Sequence, residues 1–473
     1  MRVHPPAAGR SDPTASIDTP RYGLGIDFGT SGARAMVVET DARLGHTAAT
    51  LTRAVSLIPC LHPRIVCNQQ VSLPTAWPDL TLPSPPGWRW APWSVCQYWQ
   101  VALLRLLAAI PVALRQRLAT IAINGTSSTV LLCDATGQPV TEPLLYNDDR
   151  AVTVIEQVQA IAPPDHVVIS ATSSFSKVLW WQAQGIPATL PSPLFLLHQA
   201  DWLAFLLHGR LGISDTHNVL KLGYDVVNDR YPEWVLRATA SLQLPQVVAP
   251  GTAIGPVCPA VAEHFQIASD CQICAGTTDS VAAFLASGAA IPGEAVTSLG
   301  STLVLKLLSE TRIEVAQYGI YSHRLGDRWL VGGASNTGGA VLKHFFTEAE
   351  LVALSAQIDP NQASPLHYYP LLRSGERFPI NDPSLAPQLE PRPASAIAFL
   401  HGLLESMARI EAQGYALLTA YGAPPLQRVY TAGGGAHNPA WTAIRQRCLG
   451  VPVLPATQTE AAYGTALLGL GLI

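Results

Sequence analysis

Charge is scarce in this chain. Only 13 % of the 473 residues are Asp, Glu, Lys or Arg, against roughly 25 % in an average globular protein. No basic run occurs, and the formal net charge is −4. A surface made for a phosphodiester backbone or an anionic membrane is therefore excluded. No apolar run reaches the length of a membrane-spanning helix. Residues 1–20, MRVHPPAAGRSDPTASIDTP, lack the apolar core of a secretory signal and read as a disordered tail. Paired metal-binding cysteines are missing as well. Of eight cysteines only Cys271 and Cys274 form a C-x-x-C pair, with no second pair or histidine pair at zinc spacing. Both are expected to be ordinary core thiols in a reducing, cytoplasmic compartment. No G-x-S-x-G elbow supports a Ser-His-Asp triad.

What is present is apolar: 48 % of residues are hydrophobic, the composition of a soluble enzyme with a large core. The length suggests two to three domains. From Tyr22, YGLGIDF, GTSG and ARAMVVET read as strand, tight turn and strand, leading on to a third strand. Residues 51–93 hold eight prolines and four tryptophans without periodicity, which predicts a long aromatic loop or lip. SVCQYWQVALLRLLAAI then has helical period, with Ser94 at the N-cap position. Much later GEAVTSLGSTLVLKLLSE repeats the opening pattern of strand, Gly-Ser-Thr turn and strand. Two related halves are the natural reading, and strands alternating with helices make the class α/β with two lobes.

The chemistry concentrates in a few small-residue turns. In GLGIDFGTSG an unpaired carboxylate ends a buried strand, where an ionised group is costly. The N–H groups of Gly29, Thr30, Ser31 and Gly32 are free of side-chain bulk and can converge on an anion. Asp27 beside such a cradle makes sense as a partner of Mg²⁺, through a water; a hairpin turn with a capping aspartate would look the same. Gly300, Ser301 and Thr302 repeat the backbone logic without the acid. Asp279, in GTTDS, caps a helix, and a carboxylate there can also accept the proton of an attacking hydroxyl. GGGAHNPAW reads as a glycine platform under an adenosine with Asn438 and Trp441 one helical turn apart, or as a plain helix entry with Trp441 in the core. YNDDR, residues 146–150, offers the donors and acceptors that polyol recognition needs; a solvated loop with local ion pairs explains it nearly as well.

Taken in order, GIDFGTSGARA, YNDDRA, SKVLWW, DWLAFLLHG, AGTTDSVAAFLASGA, SLGST, GGASNTGGAVLKHF, GERFPINDPS and TAGGGAHNPAW resemble the FGGY family of carbohydrate kinases, over almost all of residues 22–473. The resemblance implies a two-lobed actin/hexokinase-like (ribonuclease H-like) ATPase fold with an interdomain cleft, and ATP-dependent phosphorylation of a sugar or polyol hydroxyl there, with Mg²⁺. By position, Asp279 matches the catalytic base and Asp27 the acid near metal and γ-phosphate. Gly29, Thr30 and Ser31 match the first phosphate loop, and Gly300, Ser301 and Thr302 the second. Gly434, Gly435 and Asn438 match the nucleotide loop, with Trp441 close by. Asp27, Ser127 and Asp279 should line the sugar side. The domains expected are 21–286 on the sugar side and 287–473 on the nucleotide side, with a final helix at 460–473 packing back on the first. INGTSSTVLLCD, LKLGYD and VTSLGSTLVLKLLS are similar to the short cyanobacterial and plant D-ribulose kinases, a xylulokinase-like group. The activity implied is D-ribulose to D-ribulose 5-phosphate; the alternatives are a D-xylulose or polyol kinase of the same mechanism, or a non-catalytic sugar or nucleotide sensor. The partners implied are a small sugar and ATP, in a monomer or homodimer. Two departures stand out: the length of segment 51–93, and Asn124, an amide where the strand end should meet the sugar.

Overall fold

The computed structural model describes residues 20–41, 63–73 and 79–473. The tail read into residues 1–20 thus lies, but for Pro20, outside the described residues, as do 51–62 and 74–78 of the aromatic segment. The strands in chain order begin with β1 (Arg21–Phe28), β2 (Gly32–Thr40), β3 (Arg64–Ser72) and β4 (Leu118–Gly125). Two small sheets follow, β5 (Val130–Cys133) with β6 (Phe195–His198) and β7 (Ile213–Asp215) with β8 (Gln246–Val248). Then come β9 (Ala253–Pro256), β10 (Gln272–Thr278), β11 (Glu294–Leu299), β12 (Leu303–Ser309), β13 (Tyr321–Leu325), β14 (Arg328–Ser335), β15 (Arg428–Ala432) and β16 (Val453–Pro455).

The first large sheet has the order β3-β2-β1-β4-β10-β9 and the second β13-β14-β12-β11-β15-β16. In each, a leading strand (β1 or β11) pairs antiparallel with its successor on one side and parallel with a later strand on the other. Turns 29–31 and 300–302 therefore sit at equivalent places in two sheets of like topology. An apolar core lies against each sheet.

β1 shows why the opening sequence alternates as it does. Successive side chains of a strand point to opposite faces, and Leu24, Ile26 and Phe28 are fully buried on one of them. The other face carries Gly23, Gly25 and Asp27. A Cβ at Gly25 would overlap the backbone of Ala462 and Ala466, so glycine lets the final helix, Ala461–Gly469, lie directly on the strand. Gly464 of that helix allows the same close approach to Ala282 in the helix Asp279–Ala286. That helix in turn packs Val281, Phe284 and Leu285 against Val296, Leu308 and Leu330 of the second sheet. The two helices form the seam between the lobes.

Two local expectations are corrected. Part of the segment read as an aromatic loop is strand β3, an edge strand with no fully buried residue, so it lacks the apolar alternation that would reveal it. The helix Ser94–Ala109 has Trp93, not Ser94, at its N-cap, with no side-chain cap bond. Glutamines anchor its entry instead: Gln97 Nε2 donates to the Ala91 carbonyl (2.7 Å), and Gln100 Oε1 accepts from the Ala91 N–H (2.9 Å). Among the described residues no helix is long and apolar enough to cross a membrane.

Candidate active site

β1, β4 and β10 run parallel, with Asp27 beside Asn124 and Asn124 beside Thr277. Asp27 and Asp279 therefore leave the carboxyl ends of two strands at the same level, with one strand between them. Two interstrand spacings put those strands about 10 Å apart. Carboxyl ends of parallel strands are where open α/β sheets bind ligands. The register of β10 slips between Cys274 and Thr277, and a Cβ at Gly276 would overlap the Ile123 carbonyl. The irregularity needs glycine and re-aims the strand just before Asp279. Cys271 and Cys274 are buried beside it as core thiols, pushed by burial to about 12 and about 11.

Asp27 Oδ1 is buried and has no hydrogen-bond partner. Burial, then the negative charges of Asp279 and Glu460, push this carboxyl up to about 7, with Arg34 opposing. Arg34 is itself held by Glu460 at 3.0 Å. Asp279 is half-buried and its Oδ1 accepts from the Ser280 N–H at 2.6 Å. Burial raises its pKa, while that bond and the charges of Lys221 and Lys306 lower it. Thr278 is the N-cap residue of the helix but makes no side-chain cap bond.

Ser127 lies half-buried in the turn between β4 and β5. That turn is fastened from three sides. Thr126 donates through its N–H and its hydroxyl to Gln199 Oε1, both at 3.0 Å. Ser128 takes a left-handed φ of 64°. Lys177, 1 % exposed, donates to the carbonyls of Ser128 (2.7 Å) and Leu145 (2.6 Å). Asn124 is fully buried and its Nδ2 donates to Thr465 Oγ1 of the final helix at 2.6 Å.

The first turn differs in one respect from a cradle of four free donors. The Gly29 N–H donates to the Gly32 carbonyl (3.0 Å), and the Ser31 carbonyl accepts from the Leu73 N–H (3.0 Å). What the turn presents is Thr30 and Ser31, both exposed. The second turn rests on the helix Gly339–Phe345: the Gly339 N–H donates to the Gly300 carbonyl (2.9 Å) and the Ala340 N–H to the Ser301 carbonyl (3.1 Å). Gly338 has φ 146°, and a Cβ there would lie 2.7 Å from the Thr302 backbone. Gly433 has φ 82°, with a Cβ 2.7 Å from the Leu299 carbonyl. These glycines shape the second turn; sequence reasoning placed Gly433 only in the glycine platform GGGAHNPAW and gave Gly338 no role, the doublet in NTGGA being its signal.

Gly434 and Gly435 enter a short 3₁₀ turn directly after β15, next to turn 300–302. Nothing lies within 4 Å of a Cβ at Gly434, whereas Gly435 rests on Leu299 and the Trp441 ring. Trp441 is 2 % exposed and supports the glycines from below. Asn438 is committed to structure: its Oδ1 accepts from the Trp441 N–H (3.0 Å) and its Nδ2 donates to Ser355 Oγ (2.8 Å). It shapes the loop through these two bonds, and its second amide N–H remains unassigned. A cavity of about 490 Å³ opens beside the loop, lined by Ala436, His437, Thr442 and Gln446 among others. YNDDR is locally satisfied, with Arg150 paired to Asp148 at 2.6 Å and its guanidinium over the Trp180 ring.

No group of three or more His, Cys, Asp or Glu side chains suited to a metal occurs among the described residues. Mg²⁺ bound with a nucleotide needs only one or two carboxylates, the rest being phosphate and water. The orphaned Asp27 oxygen fits that donor set.

Residues 295–471 match the family model of the FGGY carbohydrate kinases, C-terminal domain. The match spans most of the C-terminal lobe. Over 442 residues the chain is 24 % identical to the xylulose kinase of Escherichia coli K12, covering 88 % of this chain and 83 % of that protein. Over 407 residues it is 27 % identical to a xylulose kinase of Streptomyces coelicolor, covering 80 % and 79 %. The solved xylulose kinase of Rhodospirillum rubrum superposes with a TM-score of 0.75 at 20 % identity, covering 95 % of this chain and 89 % of that one. The fold is thus the two-lobed actin/hexokinase-like fold of the FGGY sugar kinases. Both small-residue turns, the two aspartates and the glycine loop sit at strand ends of the two lobes.

Proposed function

We propose that this protein is an ATP-dependent carbohydrate kinase that phosphorylates the terminal hydroxyl of a ketopentose. The observation that carries this reading is the placement of Asp27 and Asp279 at the same level at the carboxyl ends of β1 and β10, with β4 between them, and with Asp27 holding a buried, unpartnered oxygen. A buried carboxylate oxygen with nothing to bind would be a poor structural choice.

Asp279 takes the proton of the acceptor hydroxyl as its oxygen attacks the γ-phosphorus and the bond to the ADP oxygen breaks. Ser127, on its fastened turn, and Asp27 orient the sugar. Thr30 and Ser31 hold the phosphates from one lobe, Ser301 and Thr302 from the other. Gly434 and Gly435 offer a flat backbone to the nucleoside. Asp27 would hold Mg²⁺ through a water, and the ion would supply neutralisation of phosphate charge. Closing the lobes around the sugar excludes water and so prevents ATP hydrolysis.

D-ribulose is the acceptor we favour, from the segments INGTSSTVLLCD, LKLGYD and VTSLGSTLVLKLLS. D-xylulose is the second reading, because the curated relatives bear the name xylulose kinase. A panel of D-ribulose, D-xylulose, L-ribulose, xylitol and glycerol in a coupled ADP assay separates the readings by kcat/KM. The highest value for D-ribulose is expected. A higher value for D-xylulose replaces the acceptor, and ATP binding without any sugar-dependent ADP release replaces the kinase by a sensor.

A further inference from the structure

The strand VLKLL places a lysine among apolar residues, and that lysine has no assigned work. Lys306 lies in β12 opposite Val296 and Gly332. Its neighbours Leu305 and Leu307 enter the core under the second sheet, so Lys306 points to the other face, the one that packs on the helix Asp279–Ala286. It is 8 % exposed and donates to no acceptor among the described residues. Gly332 makes room for it: a Cβ there would lie 2.8 Å from Lys306 Cδ. Tyr321, in β13, is also opposite Gly332. Its ring takes two cations, with Lys306 Nζ and Lys221 Nζ each 5.2 Å from the centroid. Lys221 comes from the other lobe, in the 3₁₀ turn Asn218–Leu222.

The local charges do not balance. Tyr321 is held down to about 8, first by Lys221, against its burial. His217 and His323 stack edge to face beside it, 5.5 Å between centroids. His217 is neutral, its Nε2–H donating to the Arg324 carbonyl (2.6 Å) and its Nδ1 accepting from the Thr277 hydroxyl (2.7 Å). Burial takes it to about 4, and His323 well below the usual imidazole value. Asp279 is the carboxylate that both lysines act on. The two lysines thus flank one phenol ring, and burial lowers Lys306, with Tyr321 and Asp279 opposing, because a desolvated cation without a partner is costly. The catalytic step described above protonates that carboxylate and delivers a phosphate dianion beside it.

We propose that Lys306 and Lys221, spanned by the Tyr321 ring, form an oxyanion subsite beside Asp279 that receives the phosphoryl group as it reaches the acceptor. This rests on the kinase reading for the source of the anion. A carboxylate borne by the acceptor itself is the other source of the same chemistry.

The test uses the full chain with Lys306→Met and Lys221→Met. Binding of inorganic phosphate and of D-ribulose 5-phosphate without nucleotide is measured by calorimetry, and by the loss of Tyr321 phenolate absorbance at pH 8 against a Tyr321→Phe control. Both lysine variants should bind these anions about tenfold more weakly, the loss of one charge-assisted contact. K306M should lower kcat on the neutral ketopentose about a hundredfold with ATP affinity unchanged. Normal turnover of neutral sugar in K306M, with turnover of an aldonate lost, would move the anion to the acceptor and overturn the assignment to the phosphoryl group. Unchanged anion affinity and turnover in both variants would remove the subsite. Lysine-dependent phosphate binding in a wild-type chain that releases no ADP would keep the subsite while the kinase reading falls.

Discussion

Lys177 offers a sharp test of how the sugar-side turn is held. Its ammonium, 1 % exposed, bridges the carbonyls of Ser128 and Leu145. Burial, the largest influence, lowers it from 10.5 to about 7. An unfolded lysine keeps its proton to roughly pH 10.4. Between pH 7 and that value the unfolded chain therefore binds more protons than the folded one, so stability rises with pH. Each unit of difference is worth about 1.4 kcal/mol, so the full window carries at most about 4–5 kcal/mol. Below pH 7 both states are protonated and the contribution is flat. K177M removes the slope. It also leaves the buried Ser128 carbonyl unsatisfied, at about 1–3 kcal/mol, while the Leu145 carbonyl keeps the Asp148 N–H (2.9 Å), and it frees the strained Ser128 turn that presents Ser127. Urea unfolding of both proteins, followed by tryptophan fluorescence from the adjacent Trp180 and Trp181, should show wild type gaining about 1 kcal/mol on K177M for each pH unit from 7 to 9, and nothing from 5 to 6.5. In the same variant the sugar KM should rise about tenfold with the ATP KM unchanged, a loss of about 1.4 kcal/mol of binding. Parallel stability curves across pH 5–9 would refute the burial argument, and an unchanged sugar KM would refute the role of the turn.

Three further changes probe other parts of the frame. Gly25→Ala pushes a Cβ into the backbone of the final helix, which should cost about 3 kcal/mol and appear as a lowered thermal midpoint. Arg445→Met breaks a buried pair in which Glu411 accepts at 2.6 and 2.7 Å and Thr431 Oγ1 at 2.7 Å. It strands Glu411 and should cost about 3–5 kcal/mol, read from denaturant unfolding of the C-terminal lobe. Asp27→Asn should lower kcat on the order of a hundredfold and raise the Mg²⁺ concentration needed for half-maximal rate, as one lost transition-state contact does; an unaltered Mg²⁺ titration would detach Asp27 from the metal.

Much of this arrangement was legible in the chain, and the reasons are specific. The aspartate ending an apolar strand and the twice-used Gly-Ser-Thr turn were visible because buried charge and paired small residues are rare in strands. Strand β3 was not, since an edge strand with partly solvated faces carries no clear period. Asn124 stood out as an unexpected amide at a strand end, and Asn438 read as a nucleotide contact; only the fold adds Thr465 and Ser355 as their partners. Lys306 was readable by the logic applied to Asp27, a charge in an apolar strand. The second-turn glycines Gly338 and Gly433 needed the backbone, because their φ angles and the approach to Thr302 and Leu299 arise from segments over 30 residues away.

The central claim is that Asp279 removes a sugar proton during phosphoryl transfer. It is tested most directly by Asp279→Asn, which keeps shape and hydrogen bonding at the helix start while deleting the base. Single-turnover ADP formation with saturating ketopentose should fall about 10²–10⁴-fold, while ATP affinity stays within twofold of wild type. Wild-type ADP formation in the variant would contradict the assignment.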